Sequence, residues 1–336
     1  MRIVTALRQS DLRSYDSIFA VLSKWAEFTG TEVYFTFLDH DGAIQELRWE
    51  KAVHVARVDQ NFTFDNVVEG EVQPMERAHI NLFDGLFLRL DPPIRDDERQ
   101  ALEASAGTIP TLNDPSGIRI VGSKEYLVNF PDLVPGACNV YTVEDVWKAS
   151  EGRDVVLKTF QNFGGKGVLR LRGEELITGD GVRLRRSESS NEIDRRLREM
   201  LPALMMNFQE NISIGDKRVV VAGGEILGAV LRVPQKGGWL ANLAQGGGLH
   251  ASAVTDADRI LVDKVDRHVR DHGIYLYGVD IIYDESHNPV LSELNVTNVG
   301  GLIQIRDVSG VCLVIQKVAS FLQQHFQSRK RNEKYS

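Results

Sequence analysis

The sequence predicts an α/β unit followed by an α+β unit whose strands run antiparallel. Three observations carry that expectation. Strand and helix patterns alternate through the first third of the chain, the patterning changes style near residue 153, and two later pairs of strand patterns are joined by turn sequences. A chain of 336 residues has room for two or three domains.

In order, "RIVTAL" (2–7) reads as a strand, "DSIFAVLSKWAEFTG" (16–30) as an amphipathic helix stopped by Gly30, and "EVYFTFL" (32–38) as a second strand. "DGLFLRL" (84–90) is another strand, and "RDDERQALEASAG" (95–107) a helix with acids in its first turn and a glycine stop. This βαβ rhythm predicts a small parallel sheet. Residues 39–75 are less regular and suggest a hairpin and a loop, and 114–150 a short helical linker containing "SKEYLVNF". The strands "DVVLKTF" (154–160) and "GVLRLRG" (167–173) flank a glycine loop, and a helix follows over 191–201. "KRVVVAGGEILGAVLRVP" (217–234) is two strands around a Gly-Gly turn, then a glycine-rich loop (235–248) and a helix (256–272). "YLYGVDIIYD" (275–284) and "PVLSELNV" (289–296) are joined by "ESHN", and a last helix spans about 306–325 before a frayed, solvated tail.

The net charge of −8 argues against nucleic acid or an anionic membrane as the main partner, but leaves room for an anionic ligand in a locally basic site. The start lacks a signal-peptide apolar region and no apolar run reaches spanning length, so a cytoplasmic protein is expected. Cys138 and Cys312 lie in apolar surroundings with no C-x-x-C, which points to buried structural thiols. The histidines show no H-x-H or H-x-x-E-H spacing; His268 and His272 lie four apart on a polar helix, which reads as a surface face rather than a zinc pair, and there is no G-x-S-x-G.

Four stretches carry candidate chemistry. In "VVLKTFQNFGGKGVLRL" a lysine ends one strand, and Gly164, Gly165 and Gly167 turn into the next. Such a loop either covers nucleotide phosphates with backbone N–H groups or is an ordinary hairpin; it matches neither a Walker A loop nor a dinucleotide fingerprint. In "GVDIIYD" and "SELNV", Glu293 and Asn295 sit two apart and share one strand face, roughly 7 Å apart. If the two strands pair, Asp280 faces both. Two carboxylates and an amide then call either for Mg²⁺ or Mn²⁺, or for Arg and Lys partners. In the third stretch Asp216, Lys217 and Arg218 open a strand and Arg232 lies near the end of the next; two arginines beside a cation site stabilise phosphate charge, whereas each alone is an ordinary surface charge. The fourth, "QKGGWLANLAQGGGLHAS", has the composition of a lid or of a surface loop.

Taken in this order, "VVLKTFQNFGGKGV", "GDKRVVVAGGEILGAVLRVP", "NLAQGG", "YGVDIIYD" and "SELNVT", with "FLRLDPP" and "LNDPSGIRIVGSKEYLVNF" before them, resemble the ATP-grasp ligases and within them the prokaryotic glutathione synthetase family. The resemblance spans nearly the whole chain. It implies an ATP-grasp fold with an N-terminal Rossmann-like (pre-ATP-grasp) domain over 1–122, a small lid subdomain with the glycine loop over 123–210, a metal and substrate subdomain over 211–326, and a disordered tail from 327. It implies ATP and Mg²⁺ or Mn²⁺ as cofactors, small-molecule substrates and a homodimer or homotetramer. Residue by residue, Lys124 and Lys158 would hold the α- and β-phosphates, and Gly164, Gly165 and Gly167 would cover them. Met206, Asn207 and Phe208 would line the adenine pocket, with Asp216 near the ribose and Asn242 on the lid. Asp280, Glu293 and Asn295 would hold the metal, and Arg218 and Arg232 would face the transferred phosphoryl group and the acyl phosphate.

Two departures concern the acceptor side. The family's lid carries arginines around its N-L-A-x-G-G core, where this chain has Leu240 and Gly248, and "NVTNVGGLIQIRD" replaces N-V-T-S-P-T-G-I-R-E, so that an equivalent arginine would be Arg306 after a three-residue insertion. The implied activity is an ATP-dependent carboxylate–amine ligase acting through an acyl phosphate, most simply glutathione synthetase. A ligase for another amino acid or peptide pair, and a non-catalytic ATP-binding regulator, are the alternatives.

Overall fold

The computed structural model describes residues 1–40, 42–59, 62–162, 167–235, 238–239, 248–311 and 313–333. Gly164, Gly165, Leu240, Asn242 and Cys312 lie outside the described residues.

Strands β1 (Arg2–Leu7), β2 (Glu32–Phe37), β3 (Ala52–Val58), β4 (Glu76–His79), β5 (Gly85–Leu88) and β6 (Thr111–Leu112) form a first sheet in the order β4-β3-β2-β1-β5-β6. The expected parallel pairing holds for β1 with β2 and with β5, where Ile3 lies opposite Val33 and Gly85. Strands β3 and β4 run antiparallel at one edge. Helices α1 (Asp16–Ala26), α2 (Ala43–Trp49), α3 (Phe64–Val68) and α4 (Asp96–Ala106) connect them, and α5 (Pro115–Val121) follows β6. The expected hairpin in 39–75 is therefore not what forms: α2 joins β2 to β3. Only Ala43, Ile44 and Leu47 of its seven residues are buried, too short a stripe to read as helical.

The second sheet is antiparallel throughout, ordered β11-β10-β9-β8-β12-β7. Its strands are β7 (Cys138–Val140), β8 (Asp154–Thr159), β9 (Val168–Arg172), β10 (Glu175–Thr178), β11 (Arg183–Arg185) and β12 (Ala203–Asn207), with α6 (Val143–Ser150) and α7 (Arg186–Met200) on one face. The stretch expected as a helical linker thus contains an edge strand. Three residues are too few to show an alternation. Cys138 on that strand is half-buried rather than in the core.

The third sheet, ordered β15-β14-β13-β16-β17, is also antiparallel. It comprises β13 (Asp216–Ala222), β14 (Glu225–Val233), β15 (Gly248–Ala251), β16 (Leu276–Tyr283) and β17 (Pro289–Asn295), with α8 (Asp256–Arg270) packed on one face. The single final helix expected over 306–325 is two helices, α9 (Leu302–Ser309) and α10 (Val314–Glu333), broken at Gly310, whose φ is +69°. The helical run also takes in residues 327–333, expected as a frayed tail. Phe326, fully buried one turn earlier, anchors it.

That anchoring joins the two ends of the chain. Phe326 stacks on Trp25 of α1 at 5.9 Å between centroids, and the indole N–H of Trp25 donates to Gln323 at 2.7 Å. A Cβ on Gly85 would stand 2.3 Å from the Phe326 ring, so glycine is required where β5 passes beneath it. Asn113 ties the first sheet to the third. Its amide donates to the carbonyls of Leu276 and Val296 at 2.7 Å each and accepts from the N–H groups of Tyr275 and Leu276. Among the described residues no helix is long and apolar enough to cross a membrane. Phe326→Ala is expected to destabilise the protein by about 3–5 kcal/mol, measured by urea unfolding. A cost of a few tenths of a kcal/mol would show that α10 is not part of the core.

Candidate active site

The third sheet assembles the polar groups by register. Arg218 lies opposite Asp280, Asp216 opposite Arg232, and Glu293 and Asn295 opposite Asp280 and Gly278. Because side chains alternate along a strand, all six project from one face. Lys217 projects from the other, toward α8, where it pairs with the buried Asp258 at 2.6 Å. A bulge makes the arrangement possible on β17. The register shifts between Asp280 and Ile281, leaving Ser292 as the extra residue. Leu291 stays in the core opposite Ile281 while Glu293 and Asn295 turn to the site.

Asp280 receives Arg218 through both oxygens, at 2.8 and 2.7 Å, and Arg232 at 2.9 Å. Asn295 donates to it at 3.1 Å. Arg232 also reaches Asp216 at 2.6 Å. From the side of the second sheet, Lys158 on β8 donates to both the carbonyl and the hydroxyl of Ser292 at 2.9 Å. Lys124, nearly fully buried, pairs with Glu293 at 3.1 Å and donates to the carbonyl of Asn162. Among the described residues three carboxylates thus meet four basic side chains.

The environment separates the two aspartates. Burial alone would raise Asp280, but Arg218 and Arg232 outweigh it and hold its carboxyl well below the ordinary range. Burial pushes Asp216 up to about 7 against the pull of Arg232, and its Oδ1 has no hydrogen-bond partner among the described residues. Burial also lowers Lys158, with Glu293 opposing and Lys124 adding to the fall.

Met206 and Asn207 end β12, and Phe208 follows it. Met206 is buried, and Asn207 accepts from Arg153 at 3.1 and 2.7 Å. The Phe208 ring lies under the guanidinium of Arg170, 3.4 Å from Cζ to centroid, and Arg170 is itself held by Asp154. Trp239 lies edge-on to Phe208 at 6.2 Å and donates to the Thr178 carbonyl of β10. Gly167, with φ +66°, is packed so closely that a Cβ would lie 2.4 Å from the Thr159 hydroxyl.

The predicted Lys124, Lys158, Asp216, Arg218, Arg232, Asp280, Glu293 and Asn295 therefore converge, while Met206, Asn207 and Phe208 form a separate patch at the end of β12. Arg218 and Arg232 partner Asp280, and Lys124 partners Glu293. Sequence reasoning did not name Ser292, Arg170 or Trp239. The bulge had a signal: Val290 and Leu291 are adjacent apolar residues just before a polar alternation. The contact between Arg170 and Phe208 had none, since it joins different strands.

The raised Asp216 has a consequence with a definite sign. A group whose folded pKa, about 7, exceeds its ordinary 3.8 contributes stability that is complete below the lower value and lost as pH rises through the upper. The nucleotide-free protein is expected to lose urea stability over that interval, and Asp216→Asn to flatten the loss. Parallel curves for both proteins would show that Asp216 ionises normally.

The sequence model of the family described as "Prokaryotic glutathione synthetase, ATP-grasp domain" matches residues 123–310. The glutathione synthetase of Synechococcus elongatus is 30% identical over 250 residues, 73% of this chain and 73% of its own length. Among solved structures, D-cycloserine synthetase DcsG superposes with a TM-score of 0.63 at 12% identity, over 95% of this chain and 99% of its own. The D-alanine-D-alanine ligase from Coxiella burnetii gives 0.60 at 11%, over 99% and 97%. These two likenesses show the ATP-grasp fold. The matched segment contains all eight converging charged and polar residues, and the chain belongs to the prokaryotic glutathione synthetase family of ATP-grasp carbon–nitrogen ligases.

Proposed function

We propose that this chain joins γ-glutamylcysteine to glycine at the expense of Mg-ATP. The observation that carries the reading is the cluster of four buried or half-buried cations around three carboxylates. An excess of positive charge in a cleft between two sheets suits a polyphosphate.

Lys124 and Lys158 bind the phosphates. Lys158 is held low by burial, so an incoming polyphosphate favours its charged form. Arg218 and Arg232 lie across the site from the lysines and stabilise the charge that develops as the γ-phosphoryl group passes to the acceptor carboxylate. ADP leaves. The amine then attacks the acyl carbon, loses a proton and expels phosphate. Phe208, capped by Arg170 and flanked by Trp239, offers an apolar face to adenine, with Met206 behind it and Asp216 on the route to the ribose.

Asp280, Glu293 and Asn295 form an all-oxygen donor set that fits Mg²⁺ or Mn²⁺. Arg218, Arg232 and Lys124 compensate its charge here. A divalent ion held by these three residues would offset phosphate charge. A second reading, a ligase with another acceptor, is favoured by one observation. Arg306, the candidate acceptor arginine, is exposed on α9 and paired with Asp307 at 2.6 Å.

ADP release with Mg-ATP, γ-glutamylcysteine and glycine tests the proposal, and a panel of other acids and amines follows. Release only with another pair assigns the second reading. Tight ATP binding with no release from any pair means a nucleotide-binding regulator. Glu293→Gln is expected to lower kcat by about 10²–10³-fold or more with an unchanged circular dichroism spectrum. Near-normal turnover would remove Glu293 from the ion site.

A further inference from the structure

The buried guanidinium of Arg89 has no part in the chemistry above. Arg89 follows β5, at the carboxyl edge of the parallel strands β1, β2 and β5, where open α/β sheets hold ligands. Its side chain is fully buried. Nη2 donates to the Val299 carbonyl at 3.3 Å and Cζ lies 5.4 Å from the Phe87 ring centroid, but among the described residues Nε and Nη1 have no hydrogen-bond partner. The nearby Asp91 is engaged by Ser14 and Asn298 at 2.6 Å each. Burial pushes Arg89 down to about 9, with Tyr15 and Asp91 opposing. A desolvated cation with unmade hydrogen bonds is costly to keep, and such a group points to an anion that completes it.

The segment 298–301 lies over Arg89, immediately beyond the site strand β17. Val299 is fully buried, and its Cγ1 stands 3.3 Å from where a Cβ on Gly278 would be; Gly278 is the partner of Asn295. Gly301, at φ +106°, points its missing Cβ toward Arg218, 3.6 Å from Cδ. One short segment therefore has Arg218 on one side and Arg89 on the other. No atom of the described residues lies within 4 Å of where a Cβ on Gly300 would be.

We propose that Arg89 binds a carboxylate of the acceptor, and that the Val299 carbonyl occupies the place of one carboxylate oxygen until the acceptor displaces the segment 298–301. This rests on the ligase reading. The ligand is an amino acid or short peptide with two carboxylates, one phosphorylated beside Arg218 and Arg232 and the other held by Arg89. In γ-glutamylcysteine the second is the glutamyl α-carboxylate.

Arg89→Met separates this role from a structural one. It removes an unpaired buried charge, so the variant is expected to melt at or above the wild-type temperature. Its KM for γ-glutamylcysteine is expected to rise about tenfold or more, with KM for ATP unchanged. Arg89→Lys, which keeps the charge without the fork, gives an intermediate KM. Binding is also read without turnover, as the rise in Tm on adding γ-glutamylcysteine or glutarate with Mg-ADP, present in the wild type and lost in Arg89→Met. A lower Tm for the ligand-free variant, equal ligand shifts in both proteins, or no shift in the wild type each overturns the proposal. Absence of ADP release sinks only the ligase reading, since a shift lost in Arg89→Met still locates the carboxylate at Arg89.

Discussion

Asp280 is the group on which the site depends. A carboxylate buried in an apolar strand would be driven to its neutral form, and here two guanidiniums keep it ionised. The dependence runs both ways, because Asp280 is also what holds Arg218 and Arg232 side by side in a largely buried cleft. Removing one partner of such a group costs about 3–5 kcal/mol, since the others are left uncompensated. The node draws on β13, β14, β16 and β17, so the whole third sheet must keep its register. A one-residue slip of β13 would send Arg218 toward α8 and bring Lys217 to the cleft.

The local charge is opposite to the global one. The chain carries −8 overall, yet among the described residues the cleft holds more basic side chains than carboxylates. Acidic side chains elsewhere supply the difference, as on α4 with Asp96, Asp97 and Glu98 in its first turn. The ion pairs in the cleft cost desolvation that is offset in part by mutual attraction, and a polyphosphate would supply the remaining counter-charge. The same reasoning distinguishes Arg8 from Arg89. Arg8 has Glu98 at 2.6 Å and the Pro93 carbonyl at 2.9 Å, and is complete. Arg89 is not.

The sequence was most legible where one strand pairs with its neighbour in the chain. The hairpins of β13 with β14 and β16 with β17 could be read from alternation and turn residues, and with them the convergence of Asp280, Glu293 and Asn295. Arg218 and Arg232 followed as strand residues, but their shared attachment to Asp280 requires β13 to lie between β14 and β16, and sequence order alone does not dictate that. Short elements were lost: α2 and β7 each offer too few periodic positions to rise above their flanks. The bond of Asn113 to Leu276 and Val296 spans more than 160 residues and left no local trace. The same holds for Lys124: its place in the site was implied only by family resemblance, and its pairing with Glu293 left no trace in the sequence.

The packing of α10 on α1 and the first sheet bears on how this chain emerges from the ribosome. The apolar side chains of β1, β2 and α1 share one cluster with Val314, Val318, Leu322 and Phe326. The first sheet is synthesised early, but part of its cover comes from α10, far along the chain. That apolar face therefore cannot take its full cover before α10 has been made. A stall or truncation ahead of α10 would leave a strand-rich apolar surface open to aggregation although every described residue of the cleft has already been made.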